Sequence, residues 1–126
     1  MGLGSYWGEV IDVLQEIIPV YDKVNSYISL GKDSEHRNKA MEGKIENGDK
    51  ILDAGSGFGN MSKTALDVAN GEVEIMLYDP LLPMIKNTDR LFKKKQEATC
   101  GVFEHIPFKS QQFDVVLSGY SLRDAI

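Results

Sequence analysis

From Tyr6 to Leu30 the larger apolar residues fall at Trp7, Val10, Ile11, Leu14, Ile17 and Ile18, then at Val20, Tyr21, Val24, Tyr27 and Ile28. Both sets follow helical spacing. Pro19 has no backbone N–H and restricts Ile18, so two helices are expected to meet there, with Pro19 in the first turn of the second. Gly31 is placed to end the pair as a left-handed stop. Lys32 to Asn47 is polar, with Ser34 a candidate cap for a third helix carrying Ala40, Met41 and Ile45. Asn47-Gly48-Asp49 then gives a strong turn signal.

Beyond that turn the pattern changes to short apolar runs alternating with helical stretches. Strands are expected at Lys50–Ala54, Val73–Tyr78, Thr99–Phe103 and Phe113–Ser118, and helices at Met61–Ala69 and Pro83–Lys95. Such alternation implies right-handed crossovers and an α/β fold, with helices on both faces of a parallel sheet. The expected strand order is 3-2-1-4, about half of a doubly wound sheet. One join is visible, at Asn47-Gly48, between an N-terminal helical part, 1–47, and a sheet-forming part, 48–126.

Composition narrows the partners. The chain has 126 residues, enough for one domain with a real core. Fourteen basic residues against nineteen acidic give a net charge of -5, the wrong sign for gripping nucleic acid. The one cysteine, Cys100, fits a reducing cytoplasm, and His36 and His105 are too far apart in sequence to suggest a metal cluster. No apolar run approaches the roughly 20 residues of a membrane span, and Met1–Trp7 does not resemble a signal peptide.

The candidate chemistry lies in Ile51-Leu52-Asp53-Ala54-Gly55-Ser56-Gly57-Phe58-Gly59-Asn60, a buried strand entering a glycine-rich turn and a helix. Glycines at alternate positions allow close backbone approach to a ligand, or merely serve a tight turn. A dinucleotide fingerprint needs glycine where Asn60 stands, so the spacing favours a nucleoside over a pyrophosphate and disfavours a nicotinamide oxidoreductase. Asp79, ending the second strand in Leu77-Tyr78-Asp79-Pro80, is placed to accept hydrogen bonds from ribose hydroxyls. The alternative is a simple Asp-Pro turn opening the next helix.

With these residues the chain resembles the S-adenosylmethionine-dependent methyltransferases of Rossmann-like fold, and among them the ubiquinone/menaquinone biosynthesis family. Tyr21-Asp22-Lys23-Val24-Asn25 is similar to the family's YDxxN segment, Leu52–Gly59 to its cofactor loop, and Asp79 to its ribose carboxylate. Gly101-Val102-Phe103-Glu104-His105-Ile106-Pro107-Phe108 resembles GDAExLPF, Phe113-Asp114-Val115-Val116 the FDxv strand, and Leu122-Arg123-Asp124 the LRN block. The sequence departs from the family at Val102, where an acidic or amide side chain is usual, at Phe103, where a small residue is usual, and at Phe58, commonly Thr.

The resemblance implies S-adenosylmethionine as cofactor, a small quinone-like or otherwise lipophilic methyl acceptor, and a cofactor-binding set of Tyr21, Asp53, Gly55, Ser56, Gly57, Phe58, Gly59, Asp79, Pro80, Val102, Phe103 and Gly119. His105 and Asp22 are the candidate bases for a carbon acceptor. His36, Arg37, Tyr120 and Arg123 are candidates on the acceptor side, while Lys93-Lys94-Lys95 is expected at a helix C-terminus with no nucleic-acid role. The acidic polar face of the first helices, with Glu9, Asp12, Glu16 and Asp22, suits a lid better than a membrane-surface helix. Family members continue through further strands, so the chain is expected to be the N-terminal half of such an enzyme. Its fourth strand would lie at an open edge and pair with a second copy or with a separate C-terminal chain. A binding module inactive by itself is the alternative.

Overall fold

The computed structural model describes residues 3–20, 23, 27, 30–86, 88, 92–119 and 121. Helix α1 spans Leu3–Ile17 and is followed by a 3₁₀ turn, Ile18–Val20, around Pro19. Trp7 is buried, and Val10, Ile11, Leu14, Ile17 and Ile18 are half-buried, the stripe set by the helical period. The second helix expected after Pro19 lies largely outside the described residues, but Gly31 has the left-handed φ of 77° expected of a helix stop.

Helix α2 spans Asp33–Met41 with Lys32 at its N-cap, two positions before the expected cap Ser34, and Lys32 makes no side-chain cap bond. Ser34 therefore lies inside the first turn, where Asp33 and Glu35 favour the helix start by charge instead. Met41 is buried, while Ala40 is exposed and Ile45 packs on the core from beyond the helix end.

The sheet comprises β1 (Lys50–Ala54), β2 (Glu74–Asp79), β3 (Glu97–Cys100) and β4 (Val115–Leu117), in the order β3-β2-β1-β4. All pairs are parallel, with Ile51 beside Ile75 and Val115, and Leu52 beside Met76 and Val116. Helix α3, Asn60–Val68, crosses from β1 to β2. Side chains alternate across the pleat, so Ile51, Ile75, Leu77 and Leu117 form one core with Met41 of α2 and Ala65 of α3. Leu52, Ala54 and Tyr78 form the other, where the covering groups are three rings, Phe103, Phe108 and Phe113, from the loop between β3 and β4. Phe108 stacks edge-to-face on both Tyr78 and Phe113.

The spans expected at Val73–Tyr78 and Met61–Ala69 shift by one residue, to Glu74–Asp79 and Asn60–Val68, and three others are corrected by more. Helix α4 is only Leu82–Lys86, and Lys93–Lys95 form an exposed bend rather than a helix end. Phe92 explains part of this, since it is drawn onto the core with its ring against Gly59, and tertiary packing overrides helical propensity. Strand β3 ends at Cys100, with Phe103 in a 3₁₀ turn, Phe103–His105. Strand β4 is shorter than Phe113–Ser118 because Phe113 belongs to the ring stack and the Asp114 carboxylate accepts from the Lys50 N–H at 2.9 Å.

Candidate functional site

The carboxyl ends of the four parallel strands bring together the glycine loop after β1, Asp79 and Pro80 after β2, the 3₁₀ turn after β3, and Ser118, Gly119 and Ser121 after β4. In open parallel sheets this is the edge where ligands bind. The loop is tied to β2 by its backbone, with the N–H groups of Gly55 and Ser56 donating to the Tyr78 carbonyl at 2.7 and 3.1 Å. Gly55, Gly57 and Gly59 have φ of 71°, 54° and 93°, left-handed values that other residues adopt only with strain. At Gly55 a Cβ would also collide with the Ser121 side chain and approach the Phe103 ring.

Two carboxylates support the loop in different ways. Asp53, 0% exposed, caps α3 from the sheet: its Oδ2 accepts from the Ser62 N–H at 3.2 Å and from the Ser62 hydroxyl at 2.5 Å. Its Oδ1 is buried with no hydrogen-bond partner. Burial pushes the Asp53 carboxyl up to about 6, against the lowering effect of Ser62, and the nearby Asp79 charge raises it further. Asp79, 6% exposed, accepts from the Gly57 N–H at 2.8 Å through Oδ2 and from the Leu81 N–H at 2.7 Å through Oδ1. It thus forms the Asp-Pro turn and holds the glycine loop at once. A carboxylate has about four acceptor positions, so neither contact excludes a hydroxyl ligand.

Ser56 is buried, and its Oγ has no partner. Orphaned buried polar atoms are costly, and two of them at one loop point to ligand donors that satisfy them. Phe58, Pro80, Val102, Phe103 and Gly119 are half-buried around the same edge. The Phe103 ring packs onto Leu52, Ala54 and Tyr78, and Gly119 lies against Met61 of α3. His105 is exposed on its turn. Tyr21, Asp22, Tyr120 and Arg123 lie outside the described residues. His36 and Arg37 are on α2; Arg37 pairs with Asp33 at 3.2 Å, and its Nε is buried without a partner.

Several residues here had no sequence signal. Ser121 donates to the Ala54 carbonyl at 3.2 Å and lies 3.0 Å from the Ser118 hydroxyl, closing the space above Gly55. The Tyr78 hydroxyl lies 2.7 Å from the Val102 carbonyl and 3.1 Å from that of His105, so β2 holds the 3₁₀ turn from below. Burial pushes the Tyr78 hydroxyl up, with Cys100 and Glu104 adding to the shift, which keeps it a donor. Apolar-to-polar periodicity reveals none of these contacts. A strand followed by Ser-x-x-Ser is the nearest thing to a clue.

A cavity of about 930 Å³ lies elsewhere, between α3 and the start of β2 and β3, lined among the described residues by Lys63, Asp67, Glu74, Phe92 and Glu97. It is at the amino ends of the strands, opposite the loop edge. Among the described residues no His, Cys, Asp and Glu group could hold a metal ion, and no helix is long and apolar enough to cross a membrane.

The profile of the ubiE/COQ5 methyltransferase family matches residues 4–126. The chain belongs to this family. The ubiquinone/menaquinone biosynthesis C-methyltransferase UbiE of Campylobacter jejuni is 27% identical over 126 residues, covering 94% of this chain and 53% of that protein. UbiE of Cupriavidus pinatubonensis is 30% identical over 125 residues, 93% and 50% of the two proteins. The chain spans about half the length of the curated relatives it matches. Among solved structures, the Haemonchus contortus phosphoethanolamine N-methyltransferase 1, in complex with phosphoethanolamine and S-adenosylhomocysteine, covers 100% of this chain and 28% of its own, with a TM-score of 0.73 and 12% identity. The complex of the Haloferax volcanii Trm112 methyltransferase activator with a methyltransferase gives 0.65 and 20%, over 82% and 45% of the two chains. At these identities the structures show the fold: a Rossmann-like methyltransferase sheet.

Proposed function

We propose that the chain binds S-adenosylmethionine and carries the cofactor-binding half of a methyltransferase whose acceptor is a small lipophilic molecule, with a quinol-type ring the leading class. The observation that carries the reading is the direct tie between the glycine loop and the acidic strand end, Gly57 N–H to Asp79 Oδ2 at 2.8 Å, within the matched family segment. When bound, the cofactor supplies an electrophilic methyl group on a sulfonium sulfur. The protein's work is then alignment and exclusion of water.

The residues present suit this ligand. Gly55, Gly57 and Gly59 allow close approach, with Phe58, Pro80 and Gly119 beside them. The unpartnered Asp53 Oδ1 and Ser56 Oγ are suited to the cofactor's donor groups, and Asp79 to ribose hydroxyls. Val102 and Phe103 would hold adenine through backbone and ring contact, in place of the usual acidic or amide side chain. For a carbon acceptor that must lose a proton, His105, which is exposed, and Asp22 are the candidate bases. Residues 1–47, Tyr21 included, act as a lid over residues 48–126. Exposed Val13, Val20, Tyr27 and Leu30 within that lid favour a lipophilic acceptor over a charged one. The side of β4 away from β1, which no described strand covers, is the surface for pairing with a second copy or with a chain bearing further strands.

Isothermal titration with S-adenosylmethionine and S-adenosylhomocysteine tests the central point. Saturable binding of both is expected. No heat with either ligand, or tight binding of NADH instead, would reject the reading.

A further inference from the structure

Trp7 is 4% exposed although it lies near the start of an amphipathic helix, and its indole N–H donates to Glu104 Oε2 at 2.9 Å, across 97 residues of sequence. A buried indole needs an acceptor, and a carboxylate makes the stronger kind of bond. Tyr6 stacks edge-to-face on the same indole, with ring centroids 5.7 Å apart. Glu104 is the middle residue of the 3₁₀ turn Phe103–His105. The Tyr78 hydroxyl holds that turn from the sheet at the Val102 and His105 carbonyls, and Tyr78 also fills the space a Cβ on Gly101 would need.

The turn is therefore gripped at its two ends by β2 and at its middle by α1. The Gly101 N–H donating to the Asp79 carbonyl at 3.1 Å and the Phe103 ring packed on Leu52, Ala54 and Tyr78 also hold it to the sheet, and Glu104 adds the tether to α1. Phe103 is the immediate neighbour of Glu104, and the Phe103 ring tip stands 3.0 Å from the Cβ position of Gly55, so a shift of the turn would move this ring relative to the glycine loop.

We propose that Trp7 and Glu104 are positioning residues for the nucleoside end of the cofactor, coupling the N-terminal helix to the turn that carries Val102 and Phe103. The inference rests on the cofactor reading above. Neither residue touches the reacting groups; both act through the turn. The lid and the nucleoside subsite are then one mechanical unit, and cofactor binding is felt in α1.

Trp7 is the one tryptophan of the chain, so its emission reports the contact without a label. The test compares the unaltered protein with Trp7→Phe, Glu104→Leu and Glu104→Gln. Each is titrated with S-adenosylhomocysteine and with 5′-methylthioadenosine, which lacks the amino-acid end, well below its measured unfolding midpoint. Trp7→Phe and Glu104→Leu are expected to weaken both ligands by the same factor, up to about tenfold, since only the part of the bond's worth that differs between free and bound protein enters the affinity. Glu104→Gln keeps an acceptor oxygen for the indole and is expected to stay within about twofold. S-adenosylhomocysteine should shift Trp7 emission in the unaltered protein and not in Glu104→Leu.

Variants that melt earlier yet bind both ligands normally would make the contact purely structural and overturn the inference. So would a loss confined to S-adenosylhomocysteine, which would place the effect at the amino-acid end. Failure of the unaltered protein to bind either ligand overturns the cofactor reading as well, and shows itself without any substitution. If Glu104→Leu does not fold, Trp7→Phe against Glu104→Gln decides the same question.

Discussion

β1 and β4 lie side by side in the same parallel sheet, each carry adjacent aliphatic residues, and pair residue for residue from Ile51 with Val115 to Asp53 with Leu117. Their fates differ. Ile51 is 0% exposed, whereas Val116, paired with Leu52 on the opposite face, is 63% exposed. β1 has a neighbour on each side, β2 and β4, and packed groups above and below. Among the described residues β4 pairs with β1 alone, and Val116 is outside the cluster that Phe103, Phe108 and Phe113 form around Leu52. Apolar composition states that a strand wants burial. Whether it gets it depends on what lies beside it.

The largest effect should come from removing packing at the better-covered strand. Ile51→Ala leaves a cavity between α2, α3 and the sheet, and is expected to cost about 4 kcal/mol in urea unfolding. Val116→Ala should cost less than about 0.5 kcal/mol. Equal losses would break the comparison, because they would mean that Val116 is as fully packed as Ile51.

Much of this contrast could be read in the sequence, but not all. The span of β1, the glycine loop and the position of Asp79 follow from local pattern, since each depends on residues adjacent in the chain, while the strand order follows from the right-handed crossovers that strand–helix alternation implies. The contacts that finish the site do not. Asp53 capping Ser62, Ser121 closing over Gly55, and Trp7 reaching Glu104 join segments whose meeting is decided by the whole fold. The same holds for the overlong helix expected at Pro83–Lys95. Its periodicity was genuine, but Phe92 is claimed by the core on the α3 side.

The glycine loop at the end of β1 allows a sharper test. Gly55 and Gly71 share a left-handed φ, 71° and 80°, but a Cβ on Gly55 meets Ser121 and Phe103 while one on Gly71 meets nothing within 4 Å. Gly71→Ala should therefore show backbone strain alone, about 1 kcal/mol, and Gly55→Ala a total nearer about 3 kcal/mol with loss of cofactor binding. Thermal unfolding and ligand titration of the two variants separate the strain from the collision. Equal costs would mean that Ser121 and Phe103 yield freely.

Asp53 makes β1 pH-dependent in a way β4 is not. Burial raises its folded carboxyl from the ordinary value of 3.8 to about 6. Between those values the native state holds a proton that the unfolded chain has lost. This contribution therefore favours folding at low pH and declines as pH rises from about 4 to about 6. Asp53→Asn removes it, so the stability of the variant relative to the unaltered protein should rise by about 2 kcal/mol from pH 4 to pH 7. Urea midpoints across that range provide the measurement, and a constant difference would show that Asp53 is not destabilised by burial. The same substitution should weaken cofactor binding, the usual exchange between stability and an orphaned site group.

The smallest effect on stability, and the one that probes β4 most directly, is expected from Val116→Lys. The residue is already exposed, so the change should alter unfolding by less than about 0.5 kcal/mol. An open strand edge beside exposed apolar surface is, however, a template for another chain, and lysine is a common means of blocking such pairing. Sedimentation across a concentration series should show association of the unaltered protein that Val116→Lys abolishes while leaving ligand titration unchanged. Suppose instead that the unaltered protein stays monomeric at high concentration, with the amides of Phe113–Ser118 protected from hydrogen exchange. Some segment of the chain would then already cover that edge, and β4 would be an interior strand like β1 after all.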